Sequence, residues 1–334
     1  MATLNATYLS LADLYSRRGG HTGIAKIIEM LAKDNPILQD APAMECNMGT
    51  YHRTTMRTAL PSPSWRILNQ GTARTKSRTN QIDDTTGKLE DWSQVDADLV
   101  DIAVDKAQFM LSESAAHLEG MNQAAATALF YGNTNTDPEQ ILGLAPRFNS
   151  TTAQNGNQII SGGGSGSDNM SIWFVGWGEN TCHLLYPKGT TAGLNHENKG
   201  KQIVYDSSNN PYDAYVNKFS WHIGLSVRDY RYVVRIANID SSDLTVDASA
   251  GANLFNKLVD GYWQFKQRTA GVANPVIYAP TKVCRYLDHQ SRQGNARVLL
   301  NWKDWGPDSK PCMHFRDMPI RESHALTEAE ATVS

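Results

Sequence analysis

The segment from Cys46 to Asn80 constrains this chain more than any other. It carries Arg53, Arg57, Arg66, Arg74, Lys76 and Arg78 and no acidic residue. Thr54, Thr55, Met56, Arg57 and Thr58 read as extended, because threonine favours strand. Pro61 and Pro63 bar a helix, and Trp65, Ile67 and Leu68 follow them. Residues 41–95 therefore read as a long, two-armed hairpin with almost nothing to build a core of its own. A loop of that kind is uncommon in a monomeric domain and is usually functional. It is expected to lie on something else.

The next segment reverses the sign. From Gln81 to Gln140 the acids are Asp83, Asp84, Glu90, Asp91, Asp96, Asp98, Asp101, Asp105, Glu113, Glu119, Asp137 and Glu139, opposed only by Lys88 and Lys106. A basic block followed by an acidic block can steer one copy onto another. The hairpin's cations are not expected to reach their own subunit's acids, so a neighbour's acids are the expected partners. The contact candidates are Arg53, Arg57, Arg66, Arg74, Lys76, Arg78 and Trp65 on the basic side. On the acidic side they are Asp83, Asp84, Glu90 and Asp91.

Around this hairpin the composition is that of a folded protein. With 40% hydrophobic and 19% charged residues, the 334-residue chain can bury a core and is long enough for two domains. No basic-then-apolar leader opens it. No apolar run approaches the roughly 20 residues of a membrane span, so folding in a cytosol and no membrane partner are expected. Cys46, Cys182, Cys284 and Cys312 are widely spaced, which predicts four free, mostly buried thiols. The net charge of -3 leaves DNA contact to local patches such as Arg17, Arg18 and Lys26, weak and without sequence preference.

Residues 1–22 read as an arm. A helix is expected from about Thr22, with Ile24, Ile27, Ile28 and Leu31 at helical spacing, ended by Pro36. The clearest helix has Ser112 as N-cap, a stripe of Leu118, Met121, Ala125 and Leu129, and Gly132–Asn133 as its stop, about 28 Å in all. Strands are expected at Ser171–Val175, His183–Tyr186 and Gln202–Tyr205. The alternation of Tyr230, Tyr232, Val234 and Ile236 predicts a half-buried strand. A second helix is expected over Ala252–Arg268, a strand at Val276–Tyr278, a helix opened by Pro280 with Val283 and Leu287 inward, and strand again from about Met313.

Few residues suggest chemistry. Gly162, Gly163, Gly164 and Gly166 lack the strand before, the helix after and the Lys-Ser/Thr pair of a phosphate loop, so they read as a surface turn. Cys312 and His314 share a strand face, but two further ligands are missing locally. His117 reads as packed or in a subunit contact. Asp83, Asp84, Glu90 and Asp91 are the residue types that hold Mg²⁺ or Ca²⁺, yet a solvated face or a subunit contact fits better. No nucleophile-elbow, zinc-protease or paired-carboxylate signature is present. No catalytic residue, cofactor or metal is assigned.

Leu129-Phe130-Tyr131-Gly132-Asn133, then Pro138-Glu139-Gln140-Ile141-Leu142-Gly143-Leu144-Ala145, resembles the exit from the spine helix in tailed-bacteriophage major capsid proteins of the Hong Kong 97-like (HK97-like) fold. The ending Phe315-Arg316-Asp317-Met318-Pro319-Ile320-Arg321, followed by Ala325-Leu326-Thr327-Glu328-Ala329-Glu330, resembles their strand-and-turn ending. The opening Met1-Ala2-Thr3-Leu4-Asn5, the segment Leu111-Ser112-Glu113 through Leu118-Glu119-Gly120, and Gly143-Leu144-Ala145-Pro146-Arg147-Phe148-Asn149 look closest to the coat-protein type of the short-tailed Bordetella phage, a podovirus.

The resemblance implies an α+β capsid fold, with connectivity that is permuted in the Bordetella type. Its parts would be an N-terminal arm (1–40), an extended E-loop (41–95), a peripheral domain with the spine helix (96–142), an axial domain (143–300) and a return to the peripheral domain (301–334). It also implies hexamers and pentamers of an icosahedral shell around double-stranded DNA, assembled in the bacterial cytoplasm. The implied partners are a cement or decoration protein, a scaffolding protein and a portal. The lysine–asparagine cross-link of the Hong Kong 97 phage is not carried over, because no matching catalytic glutamate pattern accompanies Lys76 or Lys88. The competing readings are a tail-tube or connector subunit and a cytosolic α/β enzyme.

Overall fold

The computed structural model describes residues 18–19, 23–24, 35–103, 105–247, 251–266, 273–292, 300–305 and 310–334. Its centre is strand β7 (Asn169–Trp177), where nine consecutive residues are buried. Side chains alternate across a strand, so Trp173, Val175 and Trp177 enter a first core while Met170, Ile172 and Phe174 enter a second. β11 (Val233–Asp240) and β12 (Asn274–Ala279) run antiparallel to β7, and Trp173 is in register with both Arg235 and Tyr278. Val276 and Tyr278 join the first core, Ile277 and Ala279 the second.

Helices cover both faces. On one lie Ala125, Ala126, Leu129 and Phe130 of the spine helix α3 (Lys106–Tyr131). On the other lie α5 (Leu254–Gln264) and α6 (Thr281–Ser291), through Leu254, Leu258, Val283 and Leu287. The expected strand at Tyr230–Ile236 is instead a 3-10 turn (Tyr230–Tyr232) followed by β11. β11 is buried on both faces, not half-buried, because helices cover both sides of its sheet.

The sheet extends outward from β7. Its order is β13 (Leu300–Trp305), β14 (Lys310–Phe315), β15 (Met318–Glu322), β12, β7, β8 (Cys182–Tyr186), β10 (Pro211–Val227), β5 (Arg78–Asp96) and β4 (Tyr51–Ala59). β9 (Leu194–Tyr205) pairs with β10, β3 (Ala43–Glu45) with β8, and β6 (Ile159–Ser161) with β11. β5 spans two settings, pairing with β4 up to Thr85 and with β10 from Thr86.

The expected start of the spine helix changes. The spine helix starts at Lys106, not after Ser112, because Asp105 accepts a hydrogen bond from the Gln108 backbone and caps it. At 26 residues it is about 39 Å long. Its first half is less covered, and Leu118 is exposed whereas Met121, Ala125 and Leu129 are buried. Pro36 is the N-cap of a short helix, α1 (Ile37–Asp40), and a second short helix, α2 (Ala97–Ile102), precedes the spine helix. Of the expected helix from Thr22, only Gly23–Ile24 is described, as a strand (β2) paired with Arg18–Gly19 (β1); the remainder lies outside the described residues.

The Gly162–Gly166 segment is a turn held by Gly162 N–H and Gly164 N–H on the Ala237 and Asn238 carbonyls. A Cβ at Gly164 would meet Asn169 Oδ1 at 2.7 Å. Residues 323–334 fold back over the first core and bury Leu326 and Val333. Glu330 pairs there with Arg235 at 2.8 Å.

Candidate assembly surface

The hairpin that dominates the sequence is β4 and the first part of β5, in register from Tyr51–Thr85 to Ala59–Arg78. Neighbouring register pairs face opposite sides. On the outer side Arg53 meets Asp83 in a two-bonded pair, Nε to Oδ1 and Nη2 to Oδ2, both 2.7 Å. The guanidinium's hydrogen bonds hold the Asp83 carboxyl below its usual range. On the inner side lie His52 and Asp84, both buried.

Asp84 anchors the hairpin to the body. Its Oδ1 is 2.7 Å from Arg147 Nη1, and its Oδ2 accepts from Ser226 Oγ at 2.8 Å. Arg147, at the end of α4 (Leu144–Arg147), also donates to the Leu142 and Leu225 carbonyls. Beside this anchor the His52 ring meets His183 of β8 edge to face at 5.7 Å. Burial, followed by the charges of neighbouring groups, lowers both imidazoles, His183 to about 4. Both are neutral at pH 7.

Beyond Ala59 the hairpin has no body to rest on. Residues 60–77 form neither helix nor strand, and all are exposed. Trp65 is 100% and Leu68 87% accessible, and Leu60 and Ile67 are also open. Arg66 donates to the Gln70 carbonyl. Among the described residues no acid pairs with Arg57, Arg66, Arg74, Lys76 or Arg78. Exposed apolar side chains grouped among uncompensated cations are what a partner covers.

The acidic side departs from expectation. Asp84, at 2% exposure and paired with Arg147, is withdrawn from any neighbour. Asp83 is reached by its own subunit's Arg53. Glu90 is paired with Lys88 and, at 3.2 Å, with Lys218 of β10. Hydrogen bonds from Lys88, then Trp92 and Lys218, lower its carboxyl to about 2. Asp91 Oδ2 lies 2.6 Å from His117 Nδ1 of the spine helix. The reason is geometric: β5 carries its acids past Arg53 on β4, then into the body beside β10, α3 and α4. Distant residues therefore supply the partners that are missing nearby in the sequence. Arg147, His52 and His183 were not singled out for this site beforehand, since only the fold brings them to Asp84.

Among the described residues no three His, Cys, Asp or Glu side chains come together as a metal site. All four cysteines are free, with Cys312 only partly buried. Cys312 Sγ bonds the Ile320 carbonyl, and His314 Nδ1 lies 3.0 Å from the Cys312 carbonyl.

The chain and its fold are matched by known proteins. The sequence model of the family described as "Major capsid protein GP7" matches residues 19–334. The chain belongs to the major capsid protein GP7 family. A chain of the cryo-EM structure of bacteriophage Epsilon15 is 38% identical, with a TM-score of 0.76, over 100% of this chain and 99% of that one. The bacteriophage JBD30 capsid is 12% identical at a TM-score of 0.50, over 89% of this chain and 93% of that one, and shares the fold. No curated protein sequence matches the chain. The α+β architecture is that of the Hong Kong 97-like capsids. This GP7-family protein forms a phage capsid shell, a structural role in the virion.

Proposed function

We propose that this capsid protein builds hexamers and pentamers of an icosahedral shell around double-stranded DNA in the host cytoplasm, with the hairpin as its clasp on a neighbouring subunit. The observation that carries this reading is the hairpin tip, where Trp65 and Leu68 stand open among cations without acid partners. In this reading the arm is 1–40, the E-loop 41–95, the peripheral domain 96–142 with 301–334, and the axial domain 143–300. Asp83, Glu90 and Asp91 stay partly exposed and are left as acids a neighbour can reach. Scaffolding, portal and cement or decoration proteins complete the particle, and DNA contact is non-specific.

One exposed ion pair contributes only about 0–1 kcal/mol and is screened by salt. Repeated in every subunit, small contacts close a shell. Reversing Arg57, Arg66 and Arg74 to Glu is expected to leave the subunit folded and to block or loosen assembly. Electron microscopy of the expressed protein reads this directly: closed spherical shells for the parent and few or none for the variant. Rings or tubes from the parent would favour a tail-tube or connector subunit, and normal shells from the variant would remove the electrostatic clasp.

A further inference from the structure

β4 is the last strand of the sheet, paired on one edge only among the described residues. The direction of its free groups can be worked out. The Tyr51 N–H bonds the Met48 carbonyl, away from β5. The Asn47 side chain takes the Arg53 N–H on its Oδ1 and gives its Nδ2–H to the Arg53 carbonyl, both at 2.8 Å. In an antiparallel ladder alternate residues direct both backbone groups to the same side. Tyr51 and Arg53 point outward, so Thr55 and Arg57 do as well. Asn47 thus imitates one step of strand pairing and closes the start of the edge, and the next two steps are left open.

Those open groups face a groove. It holds about 580 Å³ between residues 54–60 and a wall made by Asn180 and residues 228–231. Its charge is positive. Arg57, Arg228 and Arg231 line it, against one acid, Asp229. Asp229 is already bound by Arg231 and by Lys266. Arg228 donates to the Glu179 carbonyl and to Asn180 Oδ1, neither of which cancels its charge.

We infer that this groove is a strand-addition site for an extended acidic polypeptide. Its backbone would pair with Thr55 and Arg57, and its carboxylates would meet Arg57, Arg228 and Arg231. An exposed strand edge is a template for another chain, in which main-chain bonds give affinity and side chains give specificity. A nucleic acid matches the charge but not the alternating donors and acceptors of the edge. The chain's own hairpin tip, with Arg66, Arg74 and Lys76, has the wrong sign. The site lies at the root of the hairpin, and its occupancy does not depend on what covers the tip.

The test uses the full-length protein and a fluorescent peptide of alternating Glu and Thr, about ten residues long to match a strand. A Lys-Thr peptide and a short DNA duplex are the comparisons. The Glu-Thr peptide is expected to bind in low salt and to slow hydrogen exchange across residues 54–60. Arg228→Glu with Arg231→Glu is expected to weaken binding at least about tenfold. Thr55→Pro removes one outward N–H and no β4–β5 bond, a change that edge strands accept. It is expected to weaken binding by a similar factor with no change in charge. Tight binding by Thr55→Pro would overturn strand addition, and so would a duplex that protects residues 54–60 as well as the peptide does. Should Thr55→Pro fail to fold, the exchange measurement on the parent protein decides alone: absence of new protection over 54–60 at saturating peptide sinks the proposal.

Discussion

Two arginine–carboxylate pairs of nearly equal length sit in opposite surroundings. Arg235 and Glu330 are 2.8 Å apart with both side chains 4% exposed, whereas Arg53 and Asp83 are 2.7 Å apart at 39% and 42%. The inner pair is fully committed. Arg235 also donates to Ser171 Oγ and the Phe148 carbonyl and lies over the Trp173 ring at 5.0 Å. Glu330 accepts from Tyr131 at 2.5 Å and from Ser171. Burying an ion is costly, so its remaining bonding capacity has to be met by other groups. The outer pair stays in water and is worth little. The body is therefore constructed to hold itself, while the hairpin is held by its ladder and its root and is left open at the tip.

The comparison breaks most sharply at Glu330. Glu330→Ala leaves Arg235 buried without its counter-ion, and about 3–5 kcal/mol of subunit stability is expected to be lost. Urea unfolding of dissociated subunits measures it. The double change Arg235→Met with Glu330→Leu is expected to recover most of that loss, because apolar replacement of a buried pair is often near neutral. A loss under about 1 kcal/mol for Glu330→Ala would make the two pairs equivalent.

Acid comes next, and it acts at the joint between the two regions. His183 titrates at about 4 in the fold against an ordinary 6.5, chiefly because it is buried, then because His52 and Arg228 are near. Between those values the unfolded chain binds a proton that the folded chain refuses. This contribution to stability is full above pH 6.5 and falls as the pH drops toward 4. From His183 alone about 2 kcal/mol should be gone by pH 5. His183→Gln is expected to flatten that limb in urea midpoints compared at pH 7 and pH 5. An unchanged limb would move the acid sensitivity elsewhere.

The smallest effect is expected at the outer pair. Arg53→Ala should leave the urea midpoint of the subunit nearly unchanged, because an exposed pair is screened by water and salt. A clearly lowered midpoint in the same unfolding experiment would mean that the hairpin depends on that pair rather than on its ladder.

The two regions were also unequally legible in the sequence. β7 and β12 contain short apolar runs next to turn residues, and they emerged close to their observed positions. Of β9 only the end, Gln202–Tyr205, emerged, because Asn195, Glu197, Lys199 and Lys201 give no apolar alternation and the strand is largely solvated; β10 did not emerge. The spine helix showed its buried half, while its true start rests on Asp105 and Gln108, a pair overlooked beside the more obvious Ser112. At the candidate surface the basic tip was legible from charge and proline alone. The partners that the acids find within the subunit, Arg147, His117 and Lys218, were not legible, because tertiary packing and not proximity along the chain brings them there; Asp84 alone is thereby buried.

The central claim is that the hairpin tip is completed by a neighbouring subunit. Hydroxyl-radical footprinting of Trp65 and Leu68, compared between dissociated subunits and assembled particles, tests it most directly. Both residues are expected to be labelled readily in free subunits and strongly protected in particles, while buried Trp173 stays unlabelled in both. Equal labelling of Trp65 in free subunits and closed shells would contradict the account.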